Sequence, residues 1–168
     1  FLHSVMIQEK RGMLKHWNML LIILTYSLVI FGTFLTRSGV LSSVHAFAES
    51  AIGPLFFTFI GLTLITSVAL LIYRWDSLRS ETTMTSVLSR EALFLLNNLL
   101  FMSILIVCFW GVIYPLISEL FTGNKITVGP PFYERATGPL FASLMLPMGI
   151  APLSAWGHST VKTLGRAI

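Results

Sequence analysis

The sequence predicts an all-α integral membrane protein with four full transmembrane helices, the end of a preceding helix and a short amphipathic helix on the periplasmic surface. Of its 168 residues, 55% are hydrophobic and 11% are charged, and the mean hydropathy is +0.81. A soluble domain carries about 25% charged residues, so lipid must be the solvent of most of this chain. Four apolar runs meet the length of about 20 residues that a helix needs to cross a bilayer.

The four apolar runs give the expected element boundaries. We expect one polytopic segment over residues 1–168, with spans at approximately 18–35, 51–73, 92–118 and 136–161. Residues 1–7 resemble the tail of an earlier span, and we expect the sequence to be a fragment of a longer protein. Pro130 and Pro131 are expected to end any helix and to favour an extended backbone. Cys108 lies within a run and is expected to be a small buried hydrophobic residue.

The basic residues predict the orientation of the spans. The formal net charge is +4 and the pI about 9.6, but we exclude nucleic acid as a partner because the basic residues lie in short loops between apolar runs. Eight of the eleven lysines and arginines lie in loops 8–17 and 74–91 and in the C-terminal tail. The positive-inside rule places these segments in the cytoplasm. Loops 36–50 and 119–135 are then periplasmic, and the chain is a multi-pass protein of a bacterial inner (plasma) membrane.

The first outer loop has the pattern of a surface helix. Apolar residues recur at helical spacing in the segment SGVLSSVHAFAES, residues 38–50. Ser38 is a candidate N-cap. We expect this helix to lie along the membrane surface with its apolar side down.

Two histidines are the main candidates for chemistry. His45 lies on the expected surface helix, and a neutral imidazole in such a half-wet setting is a good axial ligand for haem iron. It is also consistent with a surface histidine that makes one hydrogen bond. His3 precedes the first inner-loop residue by five positions, about 8 Å of helical rise, and ionisable residues inside a bilayer are usually functional. A helix-packing role is the alternative for His3.

Other polar residues near the membrane edges have simpler explanations. His16 and His158 lie near inner-loop charges and are expected to be interfacial. Arg37 directly follows the first span on the outer side, where it could pair with a carboxylate or a haem propionate. It could equally extend its charged end to the membrane interface.

Four stretches of the sequence resemble the CcmF/NrfE family of cytochrome c biogenesis proteins. They extend over nearly the whole chain, in order: LHSVMIQEKRG (2–12), GTFLTRSGVLSSVHAFAES (32–50), FLLNNLLF (94–101) with YPL (114–116), and ITVGPPFY (126–133) with GPL (138–140). The stretch 32–50 is the most specific.

The resemblance implies a function and two haem ligands. The family joins haem, delivered by the haem chaperone CcmE, to apocytochrome c presented by CcmH- and CcmI-type subunits. The haem becomes attached through thioethers at a CxxCH motif. By this resemblance His45 is an axial ligand of the transferred haem at the outer face. His3 is a ligand of a haem b within the membrane, and Arg37 belongs with the cofactor-binding residues.

Parts of the family pattern are absent from this sequence. The resemblance implies a tryptophan-rich haem platform, a further outer histidine and a second membrane histidine, none of which it contains. We therefore expect the fragment alone not to be a competent lyase, and a subunit of a split lyase is the other interpretation. From the residues alone, a transporter or exporter segment and a structural membrane subunit stay open as alternatives. Paired broken spans typical of transporters are missing, which disfavours the former.

Overall fold

The computed structural model describes residues 1–38, 52–80, 82, 86, 89–124 and 126–156. The helices are α1 (Leu2–Arg11), α2 (Lys15–Arg37), α3 (Ile52–Tyr73), α4 (Arg90–Thr122) and α5 (Pro130–Ile150), with single 3-10 turns at Asp76–Leu78 and Ala151–Leu153. This part of the chain contains no β-strand. Four of its helices are long and apolar enough to cross a membrane, which confirms the predicted fold class. The predicted surface helix, with His45, lies outside the described residues.

Several polar residues are buried and many large apolar residues are exposed, which is unlike a soluble domain. Buried side chains include Asn18, Asn97, Asn98 and Thr137, while α3 exposes most of its large apolar residues. In lipid, an exposed leucine costs nothing and a polar group needs a partner inside the protein. The same reasoning explains Cys108, which is exposed on α4, so the expectation that it is buried was wrong.

The start of α5 corrects the prediction for the paired prolines. Pro130 and Pro131 begin α5, where an extended backbone and a helix end were expected. Gly129 supplies the extended N-cap, with φ −95° and ψ 176°. A proline in the first turn loses no hydrogen bond, because the first N–H groups of a helix have no partner in any case. The helix therefore begins six residues before the predicted position 136.

The end of α5 and the role of Ser38 were also predicted wrongly. The helix ends at Ile150, and the 3-10 turn that follows leads to an extended Ser154, so it does not continue to 161. Pro152 cannot donate a backbone hydrogen bond, which favours an end here. Ser38 is the C-cap of α2, with helical φ −82° and ψ −9°, and an N-cap needs a non-helical backbone.

The chain forms two compact units, and the first comprises Phe1 and residues 8–81. In it α2 packs against α3. Buried Asn18 donates a hydrogen bond from Nδ2 to Oε1 of Gln8 at 2.6 Å. His16 donates from Nε2 to the carbonyl of Trp75 at 2.8 Å, and the two rings lie 4.2 Å apart. His16 thus has a local structural role.

The second unit comprises residues 2–7 and the chain from residue 82 onward. In it α4 packs against α5, and the 3-10 turn Ala151–Leu153 contacts both helices. Ser89 caps α4 by accepting a hydrogen bond at Oγ from the Ala92 N–H at 3.3 Å. The Arg90 N–H donates to the Ala155 carbonyl at 3.0 Å. These contacts hold the start of α4 beside the segment that follows α5, and His3 lies in the same unit.

Candidate functional site

A cavity of about 470 Å³ lies in the second unit and includes His3 among its lining residues. The start of α4 forms one wall and the end of α5 with its 3-10 turn forms the other. The lining residues are His3, Arg90, Phe94, Asn97, Pro147, Met148, Ala151 and Pro152. Ligand cavities in proteins typically measure about 300–1,000 Å³ and combine apolar walls with a few placed polar groups, and this cavity has both features.

The imidazole of His3 is held against an aromatic ring. It stacks on Phe94, with ring centroids 4.7 Å apart and planes inclined by 12°. Phe94 in turn meets Trp156 edge to face at 6.0 Å. His3 itself is exposed, so the stacking covers one face of the imidazole and leaves the rest accessible. The ring is therefore oriented by the protein without being enclosed by it.

A buried amide contacts one ring nitrogen of His3. Nδ2 of Asn97 lies 3.0 Å from Nδ1 of His3, and Asn97 is only 4% exposed. Asn97 lies seven residues after Arg90 and three after Phe94, so the three side chains follow one face of α4. The chain therefore places a cation, an aromatic ring and an amide in a row along the cavity.

Arg90 is the first residue of this row, and it connects α4 to the segment that follows α5. Its guanidinium donates from Nε to the Ser154 carbonyl and from a terminal nitrogen to the Pro152 carbonyl, both at 3.0 Å. It also lies 5.5 Å from the Trp156 ring centroid, within range of a cation–π interaction. A guanidinium has five N–H donors, so donors remain for an anionic group such as a carboxylate.

The side chains that line the cavity are of the types that could hold the edge of a haem. The described residues contain no group of three or more His, Cys, Asp or Glu side chains that could hold a metal ion. A haem iron is held by only one or two protein side chains, and imidazole is a common one. An accessible imidazole, an aromatic wall and a nearby guanidinium fit the iron, the ring and a propionate respectively.

The other predicted site residues are placed elsewhere or lie outside the described part. Arg37 is the last residue of α2, exposed, and belongs to the first unit. A cation in the last turn of a helix is favourable next to the unpaired carbonyls there. His45 and His158 lie outside the described residues.

Sequence reasoning missed three residues of the cavity. Phe94 and Asn97 belong to the FLLNNLLF stretch, which carried the resemblance but was given no role. Arg90 was counted only as a topology signal. The available signal was the Asn97–Asn98 pair, because two adjacent amides within an apolar span need polar partners from other segments.

The fold and the cavity define the chain as a polytopic helical membrane protein with an imidazole-bearing site near one end of its longest span. Comparison with known proteins identifies the family. The chain is a homologue of the cytochrome c-type biogenesis proteins named CcmF, CycK, Ccl1 and NrfE. No protein-family model and no solved structure matches it.

Three relatives illustrate the match. Cytochrome c-type biogenesis protein ccl1 of Rhodobacter capsulatus is 38% identical over 99% of this chain, and CycK of Bradyrhizobium diazoefficiens is 43% identical over 92%. CcmF of Pseudomonas aeruginosa is 39% identical over 97%. The chain spans 26%, 24% and 25% of these proteins, about a quarter of each. All three relatives are named as cytochrome c-type biogenesis proteins.

Proposed function

We propose that this chain is part of the haem lyase that transfers haem from CcmE to apocytochrome c and attaches it at a CxxCH motif. The observation that carries the proposal is the accessible His3 imidazole, held by Phe94 and Asn97 on a cavity wall. It occurs in a chain whose relatives are named as cytochrome c-type biogenesis proteins. Partners on this proposal are CcmE, CcmH- and CcmI-type subunits and apocytochrome c.

The attachment reaction sets what the protein must provide. A cysteine thiol adds across a vinyl group of the haem. The S–H bond and the π bond of the vinyl group break, one C–S bond and one C–H bond form, and no net oxidant is consumed. The porphyrin supplies the reactive carbons, and the protein supplies orientation. Residues of this chain are needed to hold the transferred haem so that its vinyl groups face the incoming thiols.

Two haem positions are assigned to the two histidines. His3 ligates a resident haem b, whose iron supplies electron-transfer chemistry when bound, while Arg90 is available to a propionate. His45 ligates the transferred haem on the periplasmic side, with Arg37 as a second contact for its carboxylates. The 23-residue helix α2 lies between the histidines in sequence and spans about 35 Å. If α2 crosses the membrane, the two imidazoles cannot bind one iron.

The proposed orientation follows from the charge asymmetry of the loops. The chain lies in the bacterial inner membrane with loops 36–50 and 119–135 in the periplasm. Apocytochrome c and CcmE would then meet His45 on that side. The cavity around His3 lies at the opposite, cytoplasmic ends of α4 and α5.

Replacement of His45 tests the function directly. We expect His45→Ala in the full-length parent to lower the yield of covalent cytochrome c by about tenfold or more, since the loss of an axial ligand should weaken capture of the transferred haem. His45→Gly with added imidazole should regain part of the yield, because a small ligand can fill the vacated coordination position. The readout is haem-stained cytochrome c in cells, together with haem co-purifying with the parent.

The control is His16→Gln, which removes an imidazole but keeps an amide that can donate to the Trp75 carbonyl. We expect this variant to mature cytochrome c at the wild-type rate. If His45→Ala also matures it at the wild-type rate without imidazole, His45 is no ligand of the transferred haem.

A further inference from the structure

We infer that Asn97 is the positioning residue for His3: when iron is bound, its Oδ1 accepts a hydrogen bond from Nδ1–H, and this contact holds the ring with the Nε2 lone pair toward the iron. This inference rests on the proposed binding of a haem b by His3. It adds a residue that holds the ligand without touching the metal. Three observations support it.

The first observation is the contact itself. The side-chain amide of Asn97 meets Nδ1 of His3 at 3.0 Å across 94 residues of sequence, and it is 4% exposed. The amide of Asn97 is buried within a membrane segment, where no water competes for its hydrogen bonds. Asn97 is therefore the hydrogen-bond partner of Nδ1 while His3 lies on this wall of the cavity.

The second observation is that the contact leaves one nitrogen of His3 open. Phe94 covers a face of the ring and Asn97 meets Nδ1, so Nε2 at the far edge of the ring is the coordinating nitrogen. Histidines that bind metals usually donate their other ring N–H to a second group of the protein, which fixes the ring and raises its basicity. Asn97 occupies the position of that second group.

The third observation is that a side-chain amide can act as a hydrogen-bond donor or as an acceptor, depending on its orientation. In the structure Nδ2 faces Nδ1 of His3. In this orientation Nδ1 must accept, the proton lies on Nε2, and iron cannot bind there. A rotation of the amide by about 180° presents Oδ1 instead, Nδ1 carries the proton, and Nε2 is free. Iron binding therefore selects the second orientation, and the amide can adopt it without moving the backbone of α4.

Asn98 provides a matched control one residue away. It is as buried as Asn97, and its Nδ2 has no hydrogen-bond partner among the described residues. Changes at Asn98 therefore perturb the same helix and the same membrane depth without removing the contact to His3. The variants to compare in the purified full-length parent are Asn97→Asp, Asn97→Leu, Asn98→Asp and Asn98→Leu.

The measurements are the reduction potential of the haem b and the rate at which haem is lost to a haem-binding acceptor protein. Asn97→Asp should lower the potential, because an anionic acceptor makes the imidazole a stronger donor to ferric iron. Asn97→Leu should weaken haem retention by about 10- to 100-fold, as second-sphere changes at metal sites commonly do. The Asn98 variants should stay near wild type. If each Asn97 variant matches its Asn98 counterpart in both measurements, the inference is wrong.

A ligand-replacement experiment separates positioning from folding. In His3→Gly, imidazole can bind iron and still donate its N–H to Asn97, whereas 1-methylimidazole binds iron but has no N–H to donate. We expect imidazole to restore a higher haem occupancy than 1-methylimidazole when Asn97 is present, and equal occupancies in His3→Gly/Asn97→Leu. A difference that persists in the double variant contradicts the inference.

The same series distinguishes failure of the inference from failure of the proposed function. If His3→Ala keeps the haem b content and spectrum of the wild type, then His3 is no haem ligand. Both the proposed role of His3 and the inferred role of Asn97 are then wrong. If His3→Ala loses the haem b while the Asn97 and Asn98 variants behave alike, then His3 remains a ligand and only the role of Asn97 falls.

Discussion

Two polar residues in the first half of α4 determine the packing of the second unit more than the apolar residues around them do. A leucine that faces lipid gains little from a neighbouring helix, because hydrocarbon solvates it equally well. Arg90 and Asn97 instead make contacts that lipid cannot replace: three carbonyl or ring partners for Arg90 and the imidazole of His3 for Asn97. The few polar residues therefore decide which faces of the second unit meet.

Replacement of Arg90 should loosen the second unit. Hydrogen bonds to a charged group contribute about 1.5–3 kcal/mol each when both partners stay well placed, and Arg90 is half-buried. We expect Arg90→Ala to lower the free energy of unfolding in mild detergent by about 1–3 kcal/mol. Arg90→Lys should recover only part of this, because an ammonium cannot present the same planar fork to the Ser154 and Pro152 carbonyls.

Arg79→Ala is the control for this change. Arg79 is exposed and lies in the same predicted cytoplasmic loop, so its removal changes the charge equally but takes away no contact of α4. Unfolding would be followed by titration with a denaturing detergent. Equal stabilities for the Arg90→Ala and Arg79→Ala proteins would show that the carbonyl contacts contribute nothing measurable.

The backbone of α4 at Gly111 is affected by Pro115 in the same helix and is approached closely by α5. Pro115 lacks an N–H and leaves the carbonyl of Gly111, four residues earlier, without its helical partner. Gly111 is buried, and the Tyr133 hydroxyl of α5 lies where a side chain at position 111 would begin. Because glycine has no Cβ, α5 can bring a tyrosine up to the backbone of α4 at this level.

Adding a methyl group at Gly111 should therefore push Tyr133 away. We expect Gly111→Ala to destabilise the second unit by about 1–3 kcal/mol, the usual cost of overpacking. In a Tyr133→Ala background the same change should cost much less, because the opposing ring is gone. Gly138→Ala is the control, since nothing lies within 4 Å of the Cβ that it would add.

The double-mutant cycle supplies the decisive comparison. Contacting residues show coupling, whereas independent sites add within about 0.3–0.5 kcal/mol. A Gly111→Ala effect of the same size with and without Tyr133 would mean that the two residues do not meet.

For the whole chain, hydropathy predicted the spans well but local rules failed at their ends. The helices α2 and α3 follow the predicted runs closely. Transfer into lipid is favourable for each apolar residue, whatever its neighbours in the sequence are. The start of α5 at Pro130 was missed because proline is both a helix breaker and a favoured first residue, and only the backbone of Gly129 distinguishes the two cases. The contact between His3 and Asn97 joins residues 94 positions apart, and no local pattern encodes it.

The membrane orientation is the prediction that concerns the molecule as a whole. Eight of eleven basic residues lie in the segments assigned to the cytoplasm, and the cost of moving lysine and arginine across a membrane favours that side. We expect a cysteine at position 43 to react with a membrane-impermeant maleimide in intact spheroplasts, and a cysteine at position 80 to react only after lysis. Both substitutions, Ser43→Cys and Ser80→Cys, belong in a Cys108→Ala background, because Cys108 is exposed on α4. Labelling of position 80 but not of position 43 before lysis would show that the orientation is the opposite of the predicted one. His45 could then not meet a periplasmic haem chaperone.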